Sequence, residues 1–245
     1  MSAHYIALIS SYSTISGLWF LFYKYAKNPW QHEPSQNFNK PWLEFIYAIA
    51  AIVAILVIGQ LYMANMLIPN DDNKYIDAVN QLLIFSPTIL IVILRKQSFD
   101  TIWLPKKKVG FRIGFGLALS LVALVVYWLF RKETSGFLHL LSETYHLQNI
   151  SHLVQVFLED ITIALLFVRL AACIGRRWTI GLVALLFAAG HLPSLLAEGA
   201  AVSEFISLLL DVGIGVVVLS VVSKSRDAWW FFPVHFVLDM SQYYG

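Results

Sequence analysis

Charge is what this sequence has least of. Only 13% of its 245 residues are Asp, Glu, Lys or Arg, against about 25% in an ordinary soluble domain. Hydrophobic residues make up 58%, and the mean hydropathy is +0.68. That leaves too little polar surface to coat a water-soluble globule, so the composition predicts a chain solvated by lipid. Cysteine is nearly absent. The single Cys173 excludes an internal disulfide framework, and its neighbours Leu170, Ala171, Ala172 and Ile174 make it a small apolar filler. No low-complexity tract or internal repeat is visible. The net charge is only +2, so the pI of 8.6 gives no reason to expect a nucleic-acid partner. No Lys or Arg precedes the first apolar run, whereas a cleaved signal peptide has a basic n-region. The first segment is therefore expected to be a retained anchor.

What the chain does have is long apolar runs. A membrane-crossing helix needs about 20 mostly apolar residues. Eight candidates fall near 5–23, 43–68, 76–94, 111–130, 152–174, 178–197, 203–222 and 228–243, which predicts an all-α polytopic bundle. The sixth and eighth contain Pro193 and Pro233. Backbone groups freed by proline in a membrane must be satisfied by neighbouring protein, so these two helices are expected to line the bundle interior. Residues 136–151 read as an amphipathic surface helix or a plain connecting loop. Apart from Lys74, Arg131 and Lys132, the 17 Lys and Arg residues lie in or beside the loops after spans one, three, five and seven. By the positive-inside rule those loops are cytoplasmic and both termini lie outside.

Ionisable groups are unevenly distributed among the spans. In the first four, Glu44 and Asp77 sit at span ends, and Gln60 and Asn65 are neutral. Span five carries Glu159 and Asp160, span six His191, span seven Asp211, and span eight His235 and Asp239. An acid at the centre of a membrane helix costs roughly 2.5–3.5 kcal/mol on insertion scales. At about 1.5 Å per residue, and in the orientation above, all six groups fall between the midplane and the outer half. Four helices therefore aim polar groups at one layer, which predicts a functional site.

Local spacing refines this picture. His235 and Asp239 are i,i+4 and share a helix face, where a carboxylate can fix an imidazole tautomer. Phe187 and His191 are also i,i+4, and the small Ala188, Ala189 and Gly190 between them permit close helix approach. Ser207, Asp211 and Gly215 form a similar stripe. Adjacent Glu159 and Asp160 point about 100° apart on a helix. Two nearby carboxylates in low dielectric resist double ionisation, and a carboxylate able to accept a proton is what a general base for water requires. Two His and several carboxylates would also suit zinc, with His191, His235 and Glu159 as ligands, although no His-Glu-x-x-His pair is present.

The order of these groups resembles the CPBP family, the CAAX prenyl-protease and bacteriocin-processing (Abi) membrane proteins. Its motifs are Glu-Glu-x-x-x-Arg, Phe-x-x-x-His and His-x-x-x-Asn/Asp. "ED" at 159–160 stands in the first position, "FAAGH" at 187–191 matches the second, and "HFVLD" at 235–239 matches the third. The arginine of the first motif falls at Ala164, and the nearest arginine is Arg169. The resemblance covers roughly residues 110–245, a four-helix core formed by the last four spans, with 1–109 as variable N-terminal helices. It implies a metal-free glutamic intramembrane endopeptidase of a prokaryotic inner membrane. No cofactor is implied, and the substrate would be a membrane-anchored or lipid-modified protein or peptide. It also implies roles. Glu159 would activate a water and Asp160 would support it. His191 and His235 would orient the water or stabilise the oxyanion, and Asp239 would hold His235. Asp211 and Phe187 are expected to line the cavity. Rival expectations are a non-catalytic immunity or scaffold protein of the same fold and a proton-coupled transporter.

Overall fold

The computed structural model describes residues 3–25, 38–69, 73–131, 136–190, 192 and 202–244, without the side chains of 202–207. The fold is all-helical and contains no strand among the described residues. Nine helices follow in order among the described residues: α1 (Ala3–Tyr25), α2 (Pro41–Met63), α3 (Lys74–Leu94), α4 (Val109–Arg131), α5 (Phe137–Thr144), α6 (Ile150–Ile174), α7 (Arg176–Ala189), α8 (Val202–Ser225) and α9 (Ala228–Tyr244). Short 3-10 turns at Phe99–Ile102 and Leu147–Asn149 precede α4 and α6.

Helix limits follow local chemistry. Pro41 occupies the first turn of α2, where its missing N–H removes nothing. Asn73 caps α3, its side-chain oxygen accepting from the backbone N–H groups of Tyr75 at 3.0 Å and Ile76 at 3.4 Å. Between α6 and α7 the chain turns on Gly175 alone, at φ 82° and ψ 154°. Only glycine reaches that region without a large steric cost.

Five helices, α1 to α4 and α8, are long and apolar enough to cross a membrane, and the most apolar stretch of each is only 22–33% buried within the protein. Side chains such as Val53, Leu56, Leu121, Leu129 and Val217 face outward. Exposed apolar side chains on long helices are consistent with an integral membrane protein. The expected count of about eight is not confirmed among the described residues. Helix α6 carries Glu159, Asp160 and Arg169, α7 has 14 residues and α9 has 17. The segment 136–151 resolves into the short helix α5 and a 3-10 turn. Its Leu140 and Thr144 are buried and its Leu138 is exposed.

Helix α9 is the core of the bundle. Pro233 and most of its neighbours are buried, so the interior position expected from that proline is found. Pro193 lies outside the described residues. Helix α4 packs between α1 and α9, and α6 meets α2, α3, α7 and α9. One end of the bundle is closed by a polar clasp. Fully buried Arg112 pairs with fully buried Asp227 at 2.7 Å, and Asp227 caps α9 by accepting from Trp229 N at 2.9 Å. The chain between α3 and α4 seals the same end. The Trp103 carbonyl accepts from Ala228 N at 2.8 Å, and the Pro105 carbonyl accepts from the Trp229 indole at 3.1 Å.

Candidate functional site

A cavity of about 300 Å³ lies among α1, α6, α7, α8 and α9. Its polar wall comprises Asp160, Asp211, Asp239, His235, His4 and Gln242. Trp103, Val218, Leu219, Val222 and Phe231 form part of an apolar wall. Concave, mostly apolar hollows with a few convergent polar groups are the usual form of a small-molecule or substrate site.

Helix α6 supplies the centre of the polar wall. Asp160 is buried, and its Oδ1 meets His235 Nδ1 across the α6–α9 contact at 2.8 Å. With Asp160 ionised, and so able only to accept, this bond would place the imidazole proton on Nδ1 and leave Nε2 for a ligand. Phe231, one turn earlier on α9, stacks on the ring with centroids 5.5 Å apart and holds its plane. Asp160 Oδ2 is buried and has no hydrogen-bond partner among the described residues. Leaving such an acceptor unsatisfied costs on the order of 1–3 kcal/mol or more for a charged group.

Glu159 points elsewhere, as adjacent positions about 100° apart on a helix must. Its Oε1 accepts from Gln155 Nε2 at 2.8 Å, along its own helix, and Asp160 rather than Glu159 is at the cavity wall. Asp239 also lines the cavity, but its Oδ2 pairs with His152 Nε2 in the first turn of α6, and its Oδ1 accepts from Gln242 at 3.2 Å. The carboxylate that holds His235 Nδ1 is thus Asp160. The expected role of Asp239 gives way because a cross-helix partner reaches that nitrogen. Asp211 on α8 lines the cavity and accepts from the Tyr5 hydroxyl at 3.4 Å. Phe187 on α7 lines it too. Beside it, Gly215 comes so near Ala184 that an added Cβ would lie 3.1 Å from the Ala184 Cβ. His191 lies outside the described residues, as does the side chain of Ser207.

No arginine stands beside the acids on α6. Ala164 is fully buried. Arg169, about 15 Å along the helix axis from Glu159, is also fully buried but bonds the carbonyls of Thr101 at 3.2 Å and Leu165 at 3.1 Å and the side chain of Gln97. It ties α6 to the end of α3 and the following turn. Among the described residues no three His, Cys, Asp or Glu converge as a metal-ion set. His191, one of the three zinc candidates, is not among those residues.

The sequence reading missed several members of this site. His4, Tyr5 and Tyr12 reach the cavity from α1, and His152 holds Asp239. The signal for α1 was present as one-turn spacing of Tyr5, Leu8 and Tyr12 on a span otherwise marked only by hydroxyls. His152 carried none, because it sits at a span end and its partner is 87 residues away. Comparison of the chain with protein-family models, with curated proteins and with solved structures finds no match.

Proposed function

We propose that this protein is an intramembrane endopeptidase of the CAAX-protease/Abi type. It hydrolyses a peptide bond of a membrane-anchored or lipid-modified protein. The observation that carries the reading is the buried Asp160–His235 pair at 2.8 Å, set in the wall of a partly open cavity. A carboxylate that orients an imidazole beside a space of substrate size is the arrangement that general-base activation of water requires. The proton of the attacking water passes to the Asp160–His235 pair and returns to the leaving nitrogen. The motif resemblance assigns the base to Glu159 with Asp160 in support. The position of Asp160 at the cavity wall favours Asp160 as the working acid, with Glu159 and Asp239 setting the field around it. In this reading α6, α7 with the residues after it, and α9 complete about eight passes of a prokaryotic inner membrane. Both termini lie outside, and no cofactor takes part.

One observation favours a second reading. Ala164 replaces the arginine that the motif places beside the acids, and Arg169 is committed to Gln97 and Thr101. A non-catalytic scaffold or immunity protein would keep the polar core and lose that residue. Comparative mapping of membrane-protein termini separates the two readings, using cells that carry wild type, Asp160→Asn or Glu159→Gln at matched levels. Termini that depend on Asp160 support the peptidase. Identical termini in all strains, with the cellular phenotype retained in both variants, support the scaffold.

A further inference from the structure

Helix α1 presents a stripe at one-turn spacing to the cavity, in which His4, Tyr5, Leu8 and Tyr12 all line it. The helix is pinned in that position along its length. His4 Nδ1 and the Tyr127 hydroxyl are hydrogen-bonded at 3.1 Å. The Ser11 hydroxyl donates to the Ala123 carbonyl at 3.2 Å. Trp19, fully buried, stacks on Trp230 of α9 with centroids 5.9 Å apart. The part of α1 that faces the cavity is therefore held against α4 and α9.

Within the stripe the two tyrosines differ. The Tyr5 hydroxyl is committed to Asp211 at 3.4 Å. The Tyr12 hydroxyl makes no hydrogen bond with any described residue, although Asp160 and Asp239 both lie within electrostatic reach of it. Enclosed tyrosine hydroxyls ordinarily find a partner. The described wall has three carboxylates and no Lys or Arg, and its neutral polar groups His4, Tyr5 and Gln242 are engaged with Tyr127, Asp211 and Asp239. Attack on a peptide carbonyl creates negative charge on its oxygen. Carboxylates cannot stabilise that charge, and a preorganised neutral donor can.

We infer that the Tyr12 hydroxyl is the donor that binds the scissile carbonyl oxygen. The inference rests on the peptidase reading. In the step it serves, the water oxygen bonds to the carbonyl carbon, and the π pair moves to the carbonyl oxygen. The water proton goes to the Asp160–His235 pair. Tyr12 keeps its proton and donates a hydrogen bond to the new oxyanion. When the oxyanion collapses, the C–N bond breaks and the pair returns its proton to the nitrogen, giving one carboxylic acid and one amine.

The test compares the full-length wild type with Tyr12→Phe and Asp160→Asn. In cells, the ratio of cut to intact chains is measured at every terminus that depends on Asp160. The purified proteins in liposomes are then assayed on a synthetic peptide copying one such site. Loss of an oxyanion donor lowers kcat by about 10²–10³-fold. Tyr12→Phe is expected to show that loss with KM and melting temperature unchanged, and Tyr12→His, which keeps a donor, is expected to recover part of it. Cleavage by Tyr12→Phe at the wild-type rate overturns the inference and leaves the peptidase reading standing. A loss accompanied by a raised KM and a lowered melting temperature also overturns it, because that pattern marks a packing role. Absence of any Asp160-dependent terminus overturns the peptidase reading and the inference together.

Discussion

Replacing Gly116 by alanine tests how closely α4 and α9 must approach for the site to form. A Cβ on Gly116 would lie 2.8 Å from the Trp230 Cα and 2.9 Å from its carbonyl carbon, and nearer still to the carbonyl oxygen. The obstacle is backbone, so no side chain can turn away. Opening the 2.8 Å approach alone to an ordinary 3.4 Å contact moves the two backbones apart by about 0.6 Å, and the nearer carbonyl oxygen demands more. Overpacking a fitted contact costs about 1–3 kcal/mol, and the rigid obstacle places this case toward the upper end. At ~2–4 °C per kcal/mol for a chain of this length, the melting temperature in detergent should fall by several degrees. The same shift moves α9, which carries His235 and Asp239, and a misplacement of about 1 Å can cost ~10²-fold in rate. Gly114 is the control. A Cβ there meets nothing within 4 Å, and alanine is favoured over glycine in a helix interior by about 0.8–1 kcal/mol. Gly114→Ala should leave the melting curve unchanged or raised. Equal effects at the two positions would refute the claimed α4–α9 contact.

Other consequences follow from the packing. Asp227→Asn removes one partner of a fully buried ion pair and should cost about 3–5 kcal/mol, while Arg112→Met with Asp227→Leu should cost less than either change alone in the same melting assay. The Thr162 hydroxyl donates to Leu158 O at 2.8 Å, so in its 2.7 Å contact with Thr88 the Thr88 hydroxyl is the donor. A double-mutant cycle with Thr88→Val and Thr162→Val should give a coupling near 0.6 kcal/mol, the average for such pairs in membranes, and zero coupling would mean that α3 and α6 do not meet there. Asn73→Ala removes the cap of α3 and should lower stability by about 1 kcal/mol, with local hydrogen exchange at Tyr75 and Ile76 rising first.

The helices were legible because their signals are local. Apolar runs near 76–94, 111–130 and 152–174 became α3, α4 and α6 with ends two residues or fewer away, since capping and hydrophobic length act over a few residues. The pass count was less legible, because α6 trades hydropathy for polar groups that face protein. Of the six polar groups expected in one layer, Asp160, Asp211, His235 and Asp239 share one cavity, Glu159 does not line it, and His191 lies outside the described residues. Their pairing was not visible. The i,i+4 spacing of His235 and Asp239 satisfied a local rule, yet Asp160 from another helix takes His235 Nδ1, and His152 takes Asp239. Partners 75 and 87 residues away are chosen by helix packing, which sequence spacing does not encode. The role of α1 was hidden for the same reason. Its Tyr5 and Tyr12 line the cavity, while Ser11 bonds the Ala123 carbonyl of α4.

The most direct test of the central claim is a cleavage reaction with purified components. The wild-type chain in liposomes would be mixed with a membrane extract from cells lacking it, and new peptide termini would be identified by mass spectrometry beside an Asp160→Asn control. A small set of new termini near membrane segments is expected with wild type and none with the variant. The same termini appearing with both proteins would contradict a catalytic role for the Asp160–His235 pair, and no new terminus with either would contradict the peptidase itself.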